Sequence, residues 1–540
     1  MYSTRREALA YTGFVSAARP APSALRELLS TTESGELIVA ESPGGIATFF
    51  YANASLRRCF VWSSHAGVES AFHTKGPDCT AISNRPLLSH LVGTQRDAPS
   101  FSLEWARRML LGGSTLWNDT PFAGTFQPPP RSLVVLDGDQ IRYAPHPIPL
   151  ERQRYTERDP AGLEALNTAA LEAVSVLRRW PAGELELSGG KDSRYAAALL
   201  RRAGIEAEHV TYARGDAGEG RAAAAVALAL GVDHRIDPGL AATGAELLPT
   251  VLANLRRTDG LISEARQLPY RMGGHAGRPL IQGQAHHPRG GFPTSARNTL
   301  AAMKELLIRK NIGDQELVAP ELVQERRDRL LELLAGYQVK QHPTELAYWM
   351  YSDWRMARWT IASYRSRARS RPVVWPMMDE RVLRVISELS TFDRLSEVAF
   401  YAALCRLSPS LAAVPLYEDT WKFDQGPIGP AEFPDGYESR RQPFKETGGV
   451  ITSERRVVTV RPLFRMATRE MRCSEDLRAF IDPAALELLS CNPEPWLALG
   501  LPRVQVIQFM WKAVAIALVL DGEWLRASEP TDSNRSMVGP

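Results

Sequence analysis

The sequence predicts an α/β protein in which a β-rich N-terminal part precedes a larger part built on a parallel sheet. Residues 1 to about 150 contain short apolar runs separated by Gly, Pro and Asn turns. After a Pro-rich stretch from Pro145 to Pro149, strand-like and helix-like segments alternate. That alternation is typical of a parallel sheet with helices on both faces. From about residue 294 the pattern is mostly helical.

The N-terminal part contains apolar runs of strand length. We predict strands at Leu37–Ala40, Ala47–Tyr51 and Ser132–Leu136. Asp137-Gly138, followed by a further strand-like run, indicates a hairpin turn.

In the second part, segments with the apolar pattern of a strand alternate with segments that have the apolar pattern of a helix. Its predicted elements, in order, are a helix over 161–179, a strand over Glu184–Leu187, a helix over Asp192–Ala203, a strand over His209–Tyr212, a helix over Glu219–Leu230 and a strand over Pro279–Ile281. Long amphipathic helices are predicted near 319–336 and 343–367, and the apolar run Val504–Leu520 is predicted to be a buried helix.

Length and composition limit the possible classes of protein. A chain of 540 residues is too long to fold around one compact core. We expect domains over residues 1–150 and 151–528, with a disordered polar tail over 529–540. A net charge of +3 gives no reason to expect a nucleic-acid or membrane partner. Five scattered cysteines without a CxxC pair, and no evident signal peptide, favour a cytoplasmic location.

The most informative segment is Ser188-Gly189-Gly190-Lys191-Asp192-Ser193, which joins a predicted strand to a predicted helix. Two glycines allow a tight turn, and the N–H groups of a helix start attract an anion. The Ser188 and Ser193 hydroxyls can donate to phosphate oxygens, and Mg²⁺ would relieve the repulsion between Asp192 and a phosphate. The spacing matches neither a Walker loop nor a dinucleotide fingerprint. The alternative is a Ser/Gly-rich turn that only caps a helix.

This loop resembles the SGGxDS PP-loop of the asparagine synthetase superfamily, which includes β-lactam synthetases and lasso-peptide cyclases. Phe122–Pro129 resembles the segment that closes the family's N-terminal glutaminase-like domain, and Pro376–Asp379 resembles its Pro-Phe-Leu-Asp segment. The resemblance implies an Ntn-type glutaminase-like α+β domain followed by a PP-loop synthetase domain. It also implies ATP and Mg²⁺ as cofactors, with release of AMP and pyrophosphate.

Departures from the family narrow the expected function. Tyr2 stands where glutamine-dependent members have a nucleophilic cysteine, and a phenol with a usual pKa of about 10 is a poor substitute. We therefore expect a degenerate glutaminase and an amine supplied by the substrate. His287 and Pro288 replace two acidic residues, so the usual second Mg²⁺ ligand is missing. The β-lactam synthetase base falls on Pro372, which argues against β-lactam formation.

Other candidate residues have two interpretations each. Lys422 lies in a segment that resembles the one carrying the family's active-site lysine, where it would stabilise charge on the acyl centre; the alternative is a surface lysine beside a packed Trp421. His286 and His287 suggest a metal site without a third ligand, whereas loop histidines are more often solvated. A basic run contains four alternate arginines: Arg365, Arg367, Arg369 and Arg371. Such a run is usually a solvated face, but it could instead bind pyrophosphate or an acidic substrate side chain.

The resemblance implies an ATP-dependent carbon–nitrogen ligase of the lasso-peptide cyclase type. It would adenylate an Asp or Glu side chain of a precursor core peptide, whose N-terminal amine would close a macrolactam ring. A leader peptidase and a leader-binding protein are the other expected partners. Lys422 and Asp192 are the expected catalytic residues, with Asp192 also the Mg²⁺ ligand. The expected nucleotide-binding residues are Leu187, Ser188, Gly189, Gly190, Lys191, Asp192, Ser193, Tyr212 and Gly283.

Two alternatives remain open. One is a small-molecule amide synthetase of the asparagine synthetase or β-lactam synthetase type. The other is a non-catalytic PP-loop protein that only binds nucleotide.

Overall fold

A computed structural model describes residues 1–16, 21–112, 116–150, 153–212, 217–237, 247–262, 277–284, 299–337, 339, 343–368, 371–417, 419–425, 465–471, 474–491 and 495–526. The predicted tail over 529–540 and the pair His286–His287 lie outside these residues. The described residues form antiparallel sheets, a parallel five-stranded sheet and many helices. The predicted mixed α/β class is therefore confirmed at that level.

The described strands are β1 (Tyr2–Ser3), β2 (Glu7–Phe14), β3 (Leu29–Thr31), β4 (Leu37–Val39), β5 (Ile46–Asn53), β6 (Arg58–Ser63), β7 (Phe72–Lys75), β8 (Thr80–Ser83), β9 (Thr125–Phe126), β10 (Ser132–Asp137), β11 (Gln140–Pro145), β12 (Gly183–Glu186), β13 (Ala207–Tyr212), β14 (His234–Asp237), β15 (Leu280–Gln282) and β16 (Val373–Val374).

The N-terminal strands form antiparallel sheets. The largest has the order β1-β2-β5-β6-β10-β11, and smaller sheets are formed by β3-β4 and β8-β7-β9. The predicted hairpin is confirmed, because Asp137 pairs with Gln140 and Gly138 adopts a φ of 62°. One face of the large sheet is apolar, with Phe49 stacked on Trp62 at a centroid distance of 5.0 Å.

The parallel sheet has the order β14-β13-β12-β15-β16, and every pairing in it is parallel. The strands predicted before the glycine loop, at His209–Tyr212 and at Pro279–Ile281 correspond to β12, β13 and β15. The sequence pattern did not indicate β14 or β16. The first is a polar edge strand with exposed central residues, and the second has only two residues, so neither has an apolar run long enough to recognise.

The described α-helices with both ends defined are Pro22–Arg26, Pro86–Thr94, Leu103–Gly112, Pro160–Ser175, Lys191–Ala203, Ala217–Leu230, Leu247–Thr258, Leu300–Asn311, Pro320–Ala335, Thr344–Met350, Thr360–Ala368, Glu380–Glu388, Thr391–Leu395, Val398–Leu407, Pro409–Ala412, Glu475–Phe480, Pro483–Cys491, Pro495–Leu499 and Arg503–Leu520. Residues 465–471 are also helical.

The long helix predicted over 343–367 is interrupted in its centre. A π-helical segment, Tyr351–Trp359, joins Thr344–Met350 to Thr360–Ala368. π-Helical turns are frequent at functional sites, and here the segment ends at Trp359, which faces the cavity described below. The i→i+5 hydrogen bonding of this segment is not visible in the apolar periodicity, which indicated only a helix.

The N-terminal sheets pack directly against the helical part. The carboxylate of Asp379 accepts a 2.8 Å hydrogen bond from the Gly45 N–H and another from the Ser16 hydroxyl. Arg131 forms a 2.6 Å ion pair with Asp353. These contacts bridge the predicted domains, whose boundary at residue 150 stays a prediction.

The C-terminal helix Arg503–Leu520 is buried within a second apolar core, as predicted. Within the described part of the chain, no helix has the length and apolar character needed to cross a membrane.

Candidate functional site

The glycine loop, residues 188–193, lies at the carboxyl end of the central parallel strand. β12 pairs with β13 on one side and β15 on the other. Leu187 then extends the strand, since its N–H donates to the Val210 carbonyl at 2.8 Å. The loop helix, Lys191–Ala203, begins immediately afterwards. This is the edge at which open parallel sheets bind their ligands.

Two serine hydroxyls fix the shape of the loop. The Ser188 and Ser193 hydroxyl oxygens are 2.8 Å apart, and the Ser188 N–H donates to the Ser193 oxygen at 3.1 Å. The Gly190 N–H donates to the Ser188 oxygen at 3.2 Å. The loop helix starts at an N-cap glycine, Gly190, and so has no N-cap side chain. Its first-turn N–H groups therefore form the kind of positive end that binds phosphate.

Three glycines allow close packing around the loop. A Cβ at Gly283 would lie 2.2 Å from the Ser193 backbone nitrogen, and one at Gly189 would lie 2.6 Å from the Tyr417 Cβ. Among the described residues, a Cβ at Gly190 would have one neighbour within 4 Å, the Ser188 hydroxyl at 3.2 Å. Gly189 and Gly283 are thus required for packing, while Gly190 leaves open space above the loop.

A cavity of about 530 Å³ opens above the loop, within the usual range for small-molecule sites. All of the sequence-predicted site residues except Gly189 line it. The residues that line it are Glu186, Leu187, Ser188, Gly190, Lys191, Asp192, Ser193, Thr211, Tyr212, Glu219, Gln282, Gly283, Gln284, Trp359, Thr360, Ser363, Arg367, Trp375, Glu397, Tyr417, Asp419 and Lys422.

Two lysines and two carboxylates form a charged network on one wall of the cavity. The Lys191 ammonium lies 2.7 Å from Glu397 and 3.0 Å from Asp419. Lys422 reaches the same Asp419 carboxylate at 3.9 Å. Burial alone would raise the pKa of Asp419, but Lys191, with a smaller contribution from Lys422, outweighs it and lowers that pKa. The wall therefore brings two acidic and two basic side chains together.

Glu397 holds the backbone of the segment that carries Lys422. Its carboxylate accepts the Lys422 N–H at 3.0 Å, and its side chain is only 4% exposed. Glu397 also has a φ of 66°, a left-handed conformation that is costly for a side-chain-bearing residue. Such strain persists where the surrounding structure enforces it, and here it aims the carboxylate at two lysines. The sequence contained no local pattern that singled out Glu397 or Asp419.

Arg194 clamps the loop to the chain that leads to Lys422. Its fully buried guanidinium donates to the Gly189 carbonyl at 3.0 Å and the Gly190 carbonyl at 3.1 Å. It also donates to the carbonyls of Val414 at 2.6 Å and Pro415 at 3.0 Å. The planar guanidinium can serve several acceptors at once. Arg194 thereby couples the position of the loop to that of the opposite wall.

Tyr212 lines the cavity, but its hydroxyl is already bonded to protein. It donates to Glu184 at 2.7 Å, and Arg371 donates to the same oxygen at 3.0 Å. Burial, together with the Glu184 carboxylate, raises the pKa of Tyr212. A nucleotide contact by Tyr212 would therefore involve its ring or backbone.

The interpretation of the arginine run as a solvated face is wrong for two of its members. Arg365 and Arg371 are both buried. Arg365 donates to the Ser70 carbonyl at 3.0 Å, because the helix that carries it packs against the N-terminal part. Arg367 lines the cavity, 3.6 Å from Glu186. Arg369 lies outside the described residues.

Comparison with models of known protein families found no match, and a search of curated protein sequences found no significant match. The functional assignment therefore depends on the geometry of the cavity and the chemistry of the residues around it.

Proposed function

We propose that this protein is an ATP-dependent, AMP-forming ligase of the PP-loop type that makes an amide bond. The observation that carries the proposal is the start of the loop helix, which has a glycine, Gly190, at its N-cap and borders a cavity that Lys191 and Lys422 also line. A helix N-terminus beside such a cavity suits the phosphates of a nucleotide. A turn that merely caps a helix would not need a cavity of this size above it.

Different residues around the cavity would have different roles. The first-turn N–H groups of the loop helix would bind phosphate oxygens, and Gly190 leaves space for their approach. The fixed network of Lys191, Glu397 and Asp419 would hold the loop and the opposite wall at a constant separation. Arg194 would maintain the same separation from inside the protein.

The donor set also fits a hard divalent cation such as Mg²⁺. Asp192 and Glu219 line the cavity beside the loop, and carboxylate oxygens are the ligands that Mg²⁺ prefers. When bound with ATP, Mg²⁺ would neutralise charge on the phosphates. Asp192, in the first turn of the loop helix, is the carboxylate we assign to it.

The proposed reaction has two steps. A carboxylate oxygen of the substrate attacks the α-phosphorus, the bond to the β-phosphate breaks, and pyrophosphate leaves. An amine then attacks the acyl carbon, loses a proton and displaces AMP to leave an amide. The Lys422 ammonium would stabilise the negative charge that develops on the acyl oxygen, as a fixed cation does when it is placed before the reaction.

We infer that the substrate is a peptide that supplies both the carboxylate and the amine. Tyr2 lies in strand β1, paired with Leu9, and a phenol there cannot replace the thiol that releases ammonia from glutamine in the resembled family. Aromatic side chains of Trp359, Trp375 and Tyr417 line the cavity, and aromatic rings suit peptide side chains. A leader peptidase and a leader-binding protein would deliver the core peptide.

The test uses the protein with ATP, Mg²⁺ and a leaderless core peptide that carries both a free N-terminal amine and an Asp or Glu side chain. We expect the peptide to lose one water and an equal amount of AMP to appear, by mass spectrometry and chromatography. The Asp192→Ala variant serves as the inactive control. Amide formation only with free amino acids would favour the small-molecule alternative, and ATP that binds but is never cleaved would favour the non-catalytic one.

A further inference from the structure

A second group of reactive side chains lies away from the cavity. His65, His146 and Glu380 are all buried, and one potential ligand atom from each lies within 4.8 Å of the other two. The histidines come from the β-rich N-terminal part, whereas Glu380 begins the helix Glu380–Glu388. None of the three lines the cavity described above.

The surrounding hydrogen bonds orient these ligand atoms toward one another. One Glu380 oxygen accepts the His65 backbone N–H at 2.6 Å, and the other contacts the His65 Nδ1. The His146 Nε2 lies 2.8 Å from the Ser63 carbonyl oxygen. In the tautomer with its proton on Nε2, the ring donates to this carbonyl and keeps its Nδ1 lone pair for a cation. Backbone carbonyls commonly orient metal-bound histidines in this way.

The carbonyl oxygen of Ile148 is a possible fourth ligand. It lies 2.8 Å from the His146 Nδ1, and the Ile148 N–H donates to the same nitrogen at 3.2 Å. A carbonyl oxygen and an imidazole lone pair cannot hydrogen-bond each other. Both can coordinate one cation, and in a tetrahedral site with bonds of about 2.0–2.2 Å they would move apart to about 3.3–3.6 Å.

The charge of Glu380 supports a cation at this place. The residue is 2% exposed. Within the described residues its ion-pair partner is His65, while His146 and Arg384 stabilise its charge without forming an ion pair to it. A buried carboxylate is costly without a compensating charge. Two imidazoles and one carboxylate suit a borderline cation such as Zn²⁺ better than Mg²⁺ or Ca²⁺, which prefer all-oxygen sites.

We propose that His65, His146 and Glu380 bind a structural Zn²⁺-type ion that fastens the N-terminal part to the helical part. Binding would replace the His65–Glu380 hydrogen bond with one metal–ligand bond to each group, and the proton at the His65 Nδ1 would move to Nε2 or to solvent. The site is closed, as structural zinc sites are. Its ligand Glu380 directly follows Asp379, which accepts hydrogen bonds from Ser16 and Gly45. The proposal is independent of the proposed ligase activity.

The test begins with the wild-type protein, purified without chelator from zinc-supplemented medium. We expect about one equivalent of tightly bound zinc per chain. Removal with dipicolinate should lower the thermal midpoint, and one equivalent of Zn²⁺, but not of Mg²⁺, should restore it. Less than about a tenth of an equivalent, with no thermal shift on adding Zn²⁺ or Co²⁺, would overturn the proposal.

Variants identify the ligands. Glu380→Gln and His65→Asn should lower the zinc content at least tenfold. His90→Gln, at a buried histidine that contacts Thr125 and Ser100 instead, should retain it. The double variant His286→Asn/His287→Asn should also retain it. Loss of zinc in that double variant, or full zinc in Glu380→Gln, would contradict the assignment. The wild-type removal and reloading experiment decides the question if the ligand variants do not fold.

Discussion

Lys191 and Lys422 come from distant segments of the chain and share the carboxylates of Glu397 and Asp419. Of these two lysines, Lys422 alone was expected to be catalytic, because its segment resembles one with an active-site lysine. Its side chain is 14% exposed and faces the cavity, so the interpretation as a solvated surface lysine does not describe its environment. Lys191 is held more firmly, because two carboxylates contact it.

Replacing Lys422 should affect the rate much more than ATP binding. Negative charge on the acyl oxygen grows mainly in the transition state. Loss of the Lys422 ammonium should therefore lower kcat and kcat/KM equally. We expect Lys422→Ala to lower both by roughly 10²–10³-fold, by analogy with loss of one electrostatic contact. Lys422→Arg should not restore the rate fully, because a planar fork does not replace a compact ammonium.

Steady-state kinetics and a separate ATP titration would distinguish the possibilities. Lys75→Ala, at a lysine in the N-terminal strand β7, should behave as the wild type. A change confined to ATP affinity in the Lys422 variants would place this residue in nucleotide binding and remove it from the chemistry.

Asp192→Ala should abolish turnover without unfolding the protein. Asp192 is the one carboxylate within the glycine loop, and without it the phosphate charge would lack its proposed Mg²⁺ ligand. We expect a rate loss of roughly 10²–10³-fold with an unchanged thermal midpoint. Near-normal rates with the same Mg²⁺ dependence would exclude the assigned role.

At the scale of elements, the glycine loop, β15 and the segment over 411–417 form one packed unit. The Tyr417 N–H donates to the Gly189 carbonyl at 3.2 Å, and Gly283 follows β15 in direct contact with the loop helix. Because these contacts involve backbone atoms, side-chain motion cannot absorb an intruding methyl group.

Gly283→Ala should therefore disturb the site although it adds one methyl group. That group would lie 2.2 Å from the Asp192 and Ser193 backbone, so either β15 or the loop helix must move. Overpacking of this kind costs about 1–3 kcal/mol. We expect a lower thermal midpoint and at least tenfold weaker ATP binding by calorimetry.

The matched control for this prediction is Gly336→Ala. Gly336 has a φ of −68° after the helix Pro320–Ala335, and its added Cβ would come no closer than 3.4 Å to the Leu333 carbonyl oxygen. This variant should leave ATP binding unchanged. ATP binding by Gly283→Ala that equals that of the control would show that the close approach does not shape the site.

The local sequence pattern was sufficient to predict some strands and helices and insufficient to predict others. The strands leading into the loop and the helix after it were predicted because apolar runs and a Gly-Gly turn mark them. Strand β16 and the π-helical segment depend on neighbouring strands and helices, which local periodicity does not report. The site was predictable where six adjacent residues form it. Glu397, Asp419 and Trp375 join it only through the tertiary fold.

At the scale of the whole molecule, the N-terminal part is joined to the rest by buried polar contacts. Arg365 crosses from the helix Thr360–Ala368 to Ser70, and its guanidinium lies 5.0 Å from the Phe72 ring centroid. The N-terminal residues Ile46 and Val68 belong to the same apolar core as Leu185 of β12. These contacts suggest that the N-terminal part supports the cavity structurally.

The protein should lack glutaminase activity. Tyr2 stands in strand β1, and a phenol is a weak nucleophile compared with a thiolate. Incubation with glutamine should release no more glutamate than a blank without protein. Glutamate release that persists in a Tyr2→Phe variant would mean that another nucleophile acts in the N-terminal part.

The central claim is that a substrate carboxylate becomes an acyl-adenylate above the glycine loop. The most direct measurement uses a core peptide whose Asp and Glu carboxylates carry oxygen-18, with ATP and Mg²⁺. An adenylate transfers one carboxylate oxygen to the α-phosphate, so the AMP released should carry the label and its amount should equal that of the dehydrated peptide. Dehydrated peptide accompanied by ADP, with the label in inorganic phosphate, would contradict the account.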